Sequence, residues 1–350
     1  MKMGRLFRIG NMILLVLGTA PVQVSAMQAT KPIVIAHRGA SGLRPEHTLA
    51  SYTLAIEQGA DFIEPDLVPT RDGVLVARHE NNIAETTDVA ARPEFAARKT
   101  TKVIDGERQT GWFTEDFTLV ELKTLRAKER LPQLRAGNTR YDGQFTIPTF
   151  DEVIALAKKH GVGVYPETKH PSYFRSIGLP LEDALLASLT AAGWDAADAP
   201  VFIQSFEVAN LKALASRTKL RLIQLMDEKG APADGAAPSY AAMATPAGLR
   251  AIAGYAYGIG PNKGMIRPGD GVPTSLVADA DAAGLKVHPW TFRAENFFLP
   301  ASLRAGVDPR AQGRLVEEIA RYLELGVDGF FTDFPYDGVA ARNRHTAARR

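Results

Sequence analysis

The sequence predicts an α/β protein whose body is a (β/α)8 barrel of the TIM type with an inserted small subdomain. Three observations predict it. Short β-rich runs alternate with helical patterns over about 300 residues, the rhythm of parallel strands joined by crossover helices. Several of the runs are nearly all apolar, as strands buried on both faces are. Polar residues gather where the runs end, at His37, Asp66, His79, Glu167, Gln204, Trp290 and Asp333, and the C-terminal ends of barrel strands converge on one mouth. A doubly wound open sheet is the competing architecture, but no G-x-G-x-x-G follows any run.

The start of the chain stands apart from this pattern. Lys2, Arg5 and Arg8 precede an apolar run, Met12 to Ala20, and Val24-Ser25-Ala26 offers a small-residue cleavage site. Residues 1–26 therefore read as a secretory signal peptide, and residues 27–350 as a single barrel domain that is periplasmic or secreted. The apolar run is short for a bilayer, so a retained anchor is the lesser alternative, and no stable membrane insertion is expected after cleavage. Removing three basic and no acidic residues leaves 38 Lys and Arg against 39 Asp and Glu, and the net charge moves from +2 to −1. The basic C-terminal "ARNRHTAARR" reads as a frayed tail. With no basic face on the body, a nucleic-acid partner is not expected. The chain has no cysteine, which rules out disulfides, a thiol nucleophile, Cys-bound zinc and a lipid attached through an N-terminal Cys.

Nine runs carry strand character: 33–36, 61–68, 74–79, 162–167, 200–206, 220–226, 255–261, 285–290 and 328–335. Helical patterns lie between them at 48–58, 150–160, 181–192, 208–215, 273–283 and 313–325. A barrel has eight positions. The connection Thr70-Arg71-Asp72-Gly73 is too short for a parallel crossover, and Asp-Gly is a hairpin signal. Runs 61–68 and 74–79 should therefore form a hairpin. A turn over 70–73 would pair Asp66 with Ala77 and Glu64 with His79, so Glu64, Asp66 and His79 should project together. Pro65 is awkward in a central ladder and predicts a local bulge. Residues 84–148 are charged, lack periodicity and carry Trp112, Phe113 and Phe117; their length marks an inserted subdomain or lid. The Ala/Gly/Pro-rich stretch 228–248 reads as a flexible loop, and His160 before Gly161 as a helix end.

The chemistry lies in "IAHRGASGLRPEHTL" and in the ends of three later runs. Glu64 and Asp66 put two like charges on one strand face, which is costly without a cation. Glu167 ends another run. Three carboxylates without a cysteine suggest a hard, oxygen-liking cation, Ca²⁺ or Mg²⁺; salt bridges to arginines are the alternative. His37 and His79, from different strands, could serve as general acid and general base. Arg38 offers a planar fork for a phosphate oxygen, and Lys169, two residues past Glu167, adds a point charge.

The motifs "AHRGASGLRPEHTLASY", "FIEPDLVPTRDGVLVARHENNIAETTDVA", "GVYPETKHP", "IQSF", "GIGP", "VHPWTFR" and "GVDGFFTDFP" occur in this order. The series closely resembles bacterial glycerophosphodiester phosphodiesterases, in particular the periplasmic type, over nearly all of residues 33–340. The resemblance implies a barrel with an insertion after His79, metal ligands Glu64, Asp66 and Glu167, and an acid/base pair His37 and His79. It further implies that Arg38 contacts the phosphate, Glu46 supports the site and Lys169 completes the anion pocket. The substrate would be a small glycerophosphodiester, cleaved to glycerol 3-phosphate and an alcohol, with Ca²⁺ favoured over Mg²⁺. Trp290 and Phe292 could wall the glycerol pocket or be core. Two positions depart from the family: many relatives have Asn in place of His47, and most have Asp in place of Glu80. His170 and His288 lie near the expected mouth without an argued role, and Asp333 reads as holding a strand end or a neighbouring donor. A phosphodiesterase for a lipid or sugar headgroup and a periplasmic solute-binding protein are the competing functions.

Overall fold

The computed structural model describes Met1 and residues 31–348. The chain divides into Met1–Thr30 and Lys31–Arg350, and the second unit carries the fold. The expected signal peptide, Met1 aside, lies outside the described residues. Among those described, no helix is long and apolar enough to cross a membrane.

Eight strand positions surround a core, and eight of the nine runs fill them as follows. β1 (Ile33–His37) takes the first, and β2 (Phe62–Glu64) with β3 (Asp66–Pro69) shares the second. The run after them, β4 (Leu75–Ala77), folds back antiparallel on β3 and takes no barrel position. The insertion contributes a hairpin, β5 (Thr100–Ile104) and β6 (Glu107–Gly111). β7 (Gly163–Val164) and β8 (Glu167–Thr168) share the third position. β9 (Phe202–Ser205), β10 (Arg221–Met226), β11 (Gly258–Pro261), β12 (Lys286–Val287) and β13 (Gly329–Thr332) complete the ring. All neighbouring barrel pairings are parallel, and β1 lies between β13 and β2. The seam between β12 and β13 is closed by backbone bonds, from Asp328 N to the Val287 carbonyl and from Phe331 N to the Pro289 carbonyl, each 3.0 Å.

Proline explains why two positions are split. Pro65 and Pro166 have no N–H to give a ladder, so each drops out of its strand. Their carbonyls still accept, Pro65 from Glu167 N and Pro166 from Gln204 N, both at 2.9 Å. The chain hands over partners at Pro65: β2 pairs with β1 and β7, whereas β3 pairs with β8 and β4. The expected interruption beside the carboxylates is thus present.

The hairpin is real but its expected register is not. Leu67 faces Ala77, Val68 faces Val76 and Pro69 faces Leu75. Pro65, not Glu64, therefore falls opposite His79. The cause is the turn. Thr70 N bonds the Val74 carbonyl at 2.9 Å and the Thr70 hydroxyl accepts from Val74 N at 3.0 Å, so Thr70 pairs with Val74 and the loop spans 71–73, with Gly73 at φ +79°. A slip of one residue exchanges faces along a strand.

Inside the ring, Ile35, Phe62, Tyr165, Phe202, Ile223 and Phe331 form a floor beneath the mouth. Tyr165 stacks 4.9 Å from Phe202, and its hydroxyl meets His288 Nδ1 at 2.8 Å. His288 is thereby part of the floor rather than the mouth. Outside the ring, helices bury their apolar faces on the strands. Helix Phe150–His160 is typical: a Thr149–Glu152 capping box starts it, left-handed Gly161 ends it as expected, and Phe150, Val153, Ile154 and Ala157 are buried.

The insertion is no loose lid. Trp112, Phe113 and Phe117 are at most 7% exposed, and Phe95, Trp112 and Phe117 belong to the same core as Val76 and Phe150. These aromatics therefore form no apolar rim for a lipid. In the stretch expected to be a flexible loop, a short helix, Tyr240–Met243, is capped by the Ser239 hydroxyl and buries Tyr240 and Met243.

Gly163 sits in a crowded part of the barrel. A methyl group there would meet the Phe62 ring and stand 2.6 Å from the Pro200 carbonyl oxygen. Gly163→Ala should lower the free energy of unfolding by about 1–3 kcal/mol, the usual penalty of overpacking. Urea unfolding followed by circular dichroism measures it.

Candidate active site

The site begins with three carboxylates. Glu64 closes β2, Asp66 opens β3 and Glu167 opens β8, and Asp66 and Glu167 are register partners. Each offers an oxygen within 4.8 Å of the others, and all three are buried. Glu64 accepts from Gln204 Nε2 at 3.0 Å and from the Arg38 backbone N–H at 2.8 Å. Asp66 Oδ2 receives His47 Nε2 at 2.9 Å and lies 3.2 Å from Arg38 Nε, while its buried Oδ1 has no partner. Glu167 meets Lys169 Nζ at 3.1 Å.

Burial and the neighbouring Asp66 charge hold the Glu64 carboxyl well above its usual range. Burial likewise pushes Glu167 up to about 8, Asp66 adding to it and Lys169 opposing. Asp66 goes the other way: burial resists its charge, but Arg38 and His47 outweigh burial. Glu64 and Glu167 thus hold protons that they would shed to a cation. Oxygen-only donors, the orphaned Asp66 Oδ1 and unrelieved repulsion together fit a hard divalent ion.

His37 ends β1. Its Nδ1 lies 2.6 Å from Asp333 Oδ1. Burial, then the Arg38 charge, push His37 down to about 4 in spite of Asp333. Burial works against the Asp333 charge, but Arg293 and Arg135 hold that carboxyl well below its usual range. An ionised carboxylate only accepts, so Nδ1 of a neutral His37 carries the proton and Nε2 keeps its lone pair. Arg38 follows at φ +61°, a conformation that turns its backbone N–H onto Glu64. Its guanidinium spans two carboxylates, Glu46 through Nη1 at 3.0 Å and Asp66 through Nε. Glu46 therefore braces Arg38, together with Arg130 Nε at 2.8 Å, and it stands behind the cavity wall rather than in it.

Across the cavity, His79 Nδ1 meets Glu80 Oε1 at 2.9 Å. Burial, then Arg38 and Lys169, push His79 down to about 3. Glu80 uses its second oxygen on His170 Nε2 at 3.0 Å, and His170 Nδ1 reaches Asp105 Oδ2 at 2.6 Å. Burial opposes the His170 charge, but these two carboxylates raise it to about 9.

His37, Arg38, Glu64, His79, Glu167 and Lys169 line one cavity of about 310 Å³, with Gln204, Phe206, Leu225, Asp227, Trp290 and Phe331 as the remaining wall. Asp66 lies just beneath it, buried with Glu64 and Glu167. Trp290 stands in the wall, its indole N–H bonded to the Gly260 carbonyl at 2.8 Å. Phe292 does not. It is fully buried against Tyr322 and Phe330, so the expectation of a pocket role is corrected to core. The aromatic partner of Trp290 in the wall is Phe206, 5.8 Å away edge to face.

Sequence reasoning gave His47 no role and missed Gln204, Arg130 and Arg135 as supports. His47 lies in the same short stretch as His37 and Glu46, and with φ +55° it turns inward to hold Asp66. Nothing local in the sequence marks Arg130 or Arg135, because their partners lie more than 80 positions away.

Known proteins share this arrangement of chain. The model of the glycerophosphoryl diester phosphodiesterase family matches residues 37–337. A glycerophosphodiester phosphodiesterase of Arabidopsis thaliana is 40% identical over 326 residues, covering 88% of this chain and 85% of its own. One from Haemophilus influenzae is 31% identical over 344 residues, covering 88% of each chain. The fold matches that of an Oleispira antarctica phosphodiesterase in complex with the product sn-glycerol-3-phosphate, with TM-score 0.60, 23% identity and coverage of 89% and 97%. A glycerophosphodiester phosphodiesterase of Agrobacterium tumefaciens gives TM-score 0.57 at 21% identity, with coverage of 88% and 99%.

The raised carboxyls make a prediction about metal binding. With a value of about 8, Glu167 is mostly protonated at pH 7, and an ion must displace that proton. Titrating Ca²⁺ into chelator-stripped protein at pH 7 should release protons, and affinity should tighten as pH rises toward 8. Calorimetry in two buffers of different ionisation enthalpy counts them. Binding with no proton release would show that the trio is ionised beforehand.

Proposed function

Because the chain belongs to the glycerophosphoryl diester phosphodiesterase family, a family of phosphoric diester hydrolases, we propose a metal-dependent, two-histidine mechanism for its hydrolysis of glycerophosphodiesters. The products are glycerol 3-phosphate and an alcohol such as choline or ethanolamine. The observation that carries the reading is the convergence of the trio, Arg38, Lys169, His37 and His79 around one cavity.

Glu64, Asp66 and Glu167 would hold the divalent ion, Ca²⁺ in preference to Mg²⁺, since Ca²⁺ tolerates mixed carboxylate geometry better. When bound, the ion supplies Lewis-acid stabilisation of charge on the phosphoryl oxygens. Together with Arg38 and Lys169 it would outweigh the three carboxylates by one positive charge, on the side of the cavity where the single negative charge of a phosphodiester would sit, while Asp227 adds a carboxylate to the remaining wall. Arg38, fixed by Glu46 and Asp66, presents its guanidinium to the phosphate, and Lys169 adds a second cation. His37 and His79 handle the two protons of the reaction. One takes the proton of the nucleophile, either water or the substrate's own 2-hydroxyl, whose attack would give a cyclic phosphate that water then opens to glycerol 3-phosphate. The other delivers a proton to the departing alkoxide. Asp333 and Glu80 fix the two imidazoles through Nδ1, so each offers Nε2 to the cavity. Trp290 and Phe206 form the apolar wall against the organic part of the substrate. The enzyme works in the periplasm or outside the cell after loss of residues 1–26.

The decisive measurement is release of glycerol 3-phosphate from a panel of phosphodiesters, with and without Ca²⁺. Excess chelator should abolish turnover and Ca²⁺ should restore it; full activity in chelator removes the ion from the mechanism. His37→Ala and His79→Ala should each lose at least about 100-fold in kcat while still binding metal. The variant that recovers on a nitrophenyl ester, whose leaving group needs no proton, identifies the acid. Sequencing of exported protein should begin at Met27, and a mature chain retaining Lys2 would contradict export by cleavage.

A further inference from the structure

The inserted segment, residues 84–148, reaches the reacting groups at three separate points. Arg130 gives its Nε to Glu46 Oε2 at 2.8 Å, the same oxygen that accepts from Arg38 at 3.0 Å. Arg135 donates to Asp333 Oδ2 at 2.5 Å, and Asp333 holds His37 Nδ1 at 2.6 Å. Arg135 also donates to the Ser41 carbonyl at 2.9 Å, and the Ser41 hydroxyl bonds the His37 carbonyl at 2.8 Å. Asp105, at the tip between β5 and β6, holds His170 at 2.6 Å; His170 holds Glu80, and Glu80 holds His79.

Each of these connections passes through a group that contacts a residue lining the cavity. The insertion also has apolar anchorage of its own, since Phe95, Trp112, Phe117, Leu122, Leu125 and Ile147 pack into the core. Buried ion pairs are weak sources of stability, since desolvation offsets their attraction. What they supply is direction. The guanidinium of Arg135 is a rigid fork, 4% exposed, with a further bond to Glu295 Oε1 at 2.6 Å, so Asp333 cannot swing without breaking its pattern. The length of Glu80 fits the same purpose: one carboxylate spans His79 and His170 with separate oxygens.

We propose that the insertion is a positioning clamp on the catalytic groups: Arg135 aims His37 through Asp333, Arg130 aims Arg38 through Glu46, and Asp105 aims His79 through His170 and Glu80. The inference rests on the proposed roles of His37, Arg38 and His79. It makes Arg130, Arg135 and Asp105 positioning residues, touching no substrate themselves. It also gives the insertion a part in turnover that a lid or a stabilising appendage would not have.

The test is a split between kcat and KM. Arg135→Ala should lower kcat by about 10–100-fold, the range for groups that orient catalytic ligands, with KM changed by no more than about two-fold. Millimolar guanidinium, which can refill the vacated place, should restore part of kcat, and ammonium should not. Asp105→Gly guards against a folding artefact, since Asp105 stands at φ +48° at a hairpin tip and glycine keeps that left-handed backbone without strain. It should lower kcat with little change in melting temperature, and adding His170→Gln should cost little more in kcat, because both break the same chain of contacts. Wild-type kcat in Asp105→Gly overturns the clamp, as does an Arg135→Ala loss that lies in KM or that guanidinium fails to relieve. A wild-type enzyme releasing no glycerol 3-phosphate from any diester would instead remove the proposed function itself.

Discussion

Three like charges brought together out of water set the terms for everything around the barrel mouth. Glu64, Asp66 and Glu167 cannot all ionise there unaided, and Glu64 and Glu167 are accordingly held back from ionising. The neighbouring residues answer this constraint. Arg38 and His47 secure the Asp66 charge, Lys169 stands against Glu167, and Gln204 gives Glu64 a donor without adding charge. The cavity therefore pairs an acidic cluster that could hold a cation with cations that could face an anion. A divalent ion and a phosphodiester would meet both needs together.

The same constraint reaches outward through further carboxylates. Arg38 needs more than Asp66 to stay in place, and Glu46 supplies it; His37 needs an orienting partner, and Asp333 supplies it. Each added carboxylate then requires its own cation, found in Arg130, Arg135 and Arg293. Alternating charge in successive shells sets a cation beside each of these carboxylates. It also explains why so many ionised side chains sit below one-tenth exposure without destabilising the fold beyond tolerance.

Much of this was legible in the residues. Strand and helix alternation and polar strand ends pointed to a barrel with one mouth, and His37, Arg38, Glu64, His79, Glu167 and Lys169 do line one cavity. The strand break at Pro65 was also readable, because proline has no donor to give. Three features were not. The hairpin register depended on whether Thr70 belongs to the turn or to the ladder, a matter of one hydroxyl bonding Val74 N. Phe292, two residues past a wall residue, was displaced into the core by the path of the chain after β12, which no local pattern encodes. Arg130 and Arg135 were invisible because their meaning lies in partners distant in sequence, and an irregular charged segment looks alike whether it packs or dangles.

The prolines preceding two of the carboxylates have an effect on the unfolded chain as well. Pro65 comes immediately before Asp66, and Pro166 immediately before Glu167. A proline fixes its own φ and biases the residue before it toward extended backbone, so Glu64-Pro65-Asp66 and Tyr165-Pro166-Glu167 sample fewer conformations before folding begins. Less freedom is then lost when the acidic groups are brought face to face. Part of the work of assembling mutually repelling charges is thus done by covalent chain stiffness, which no salt concentration or pH can screen. The repelling carboxylates rest on segments that proline leaves with less conformational entropy to surrender.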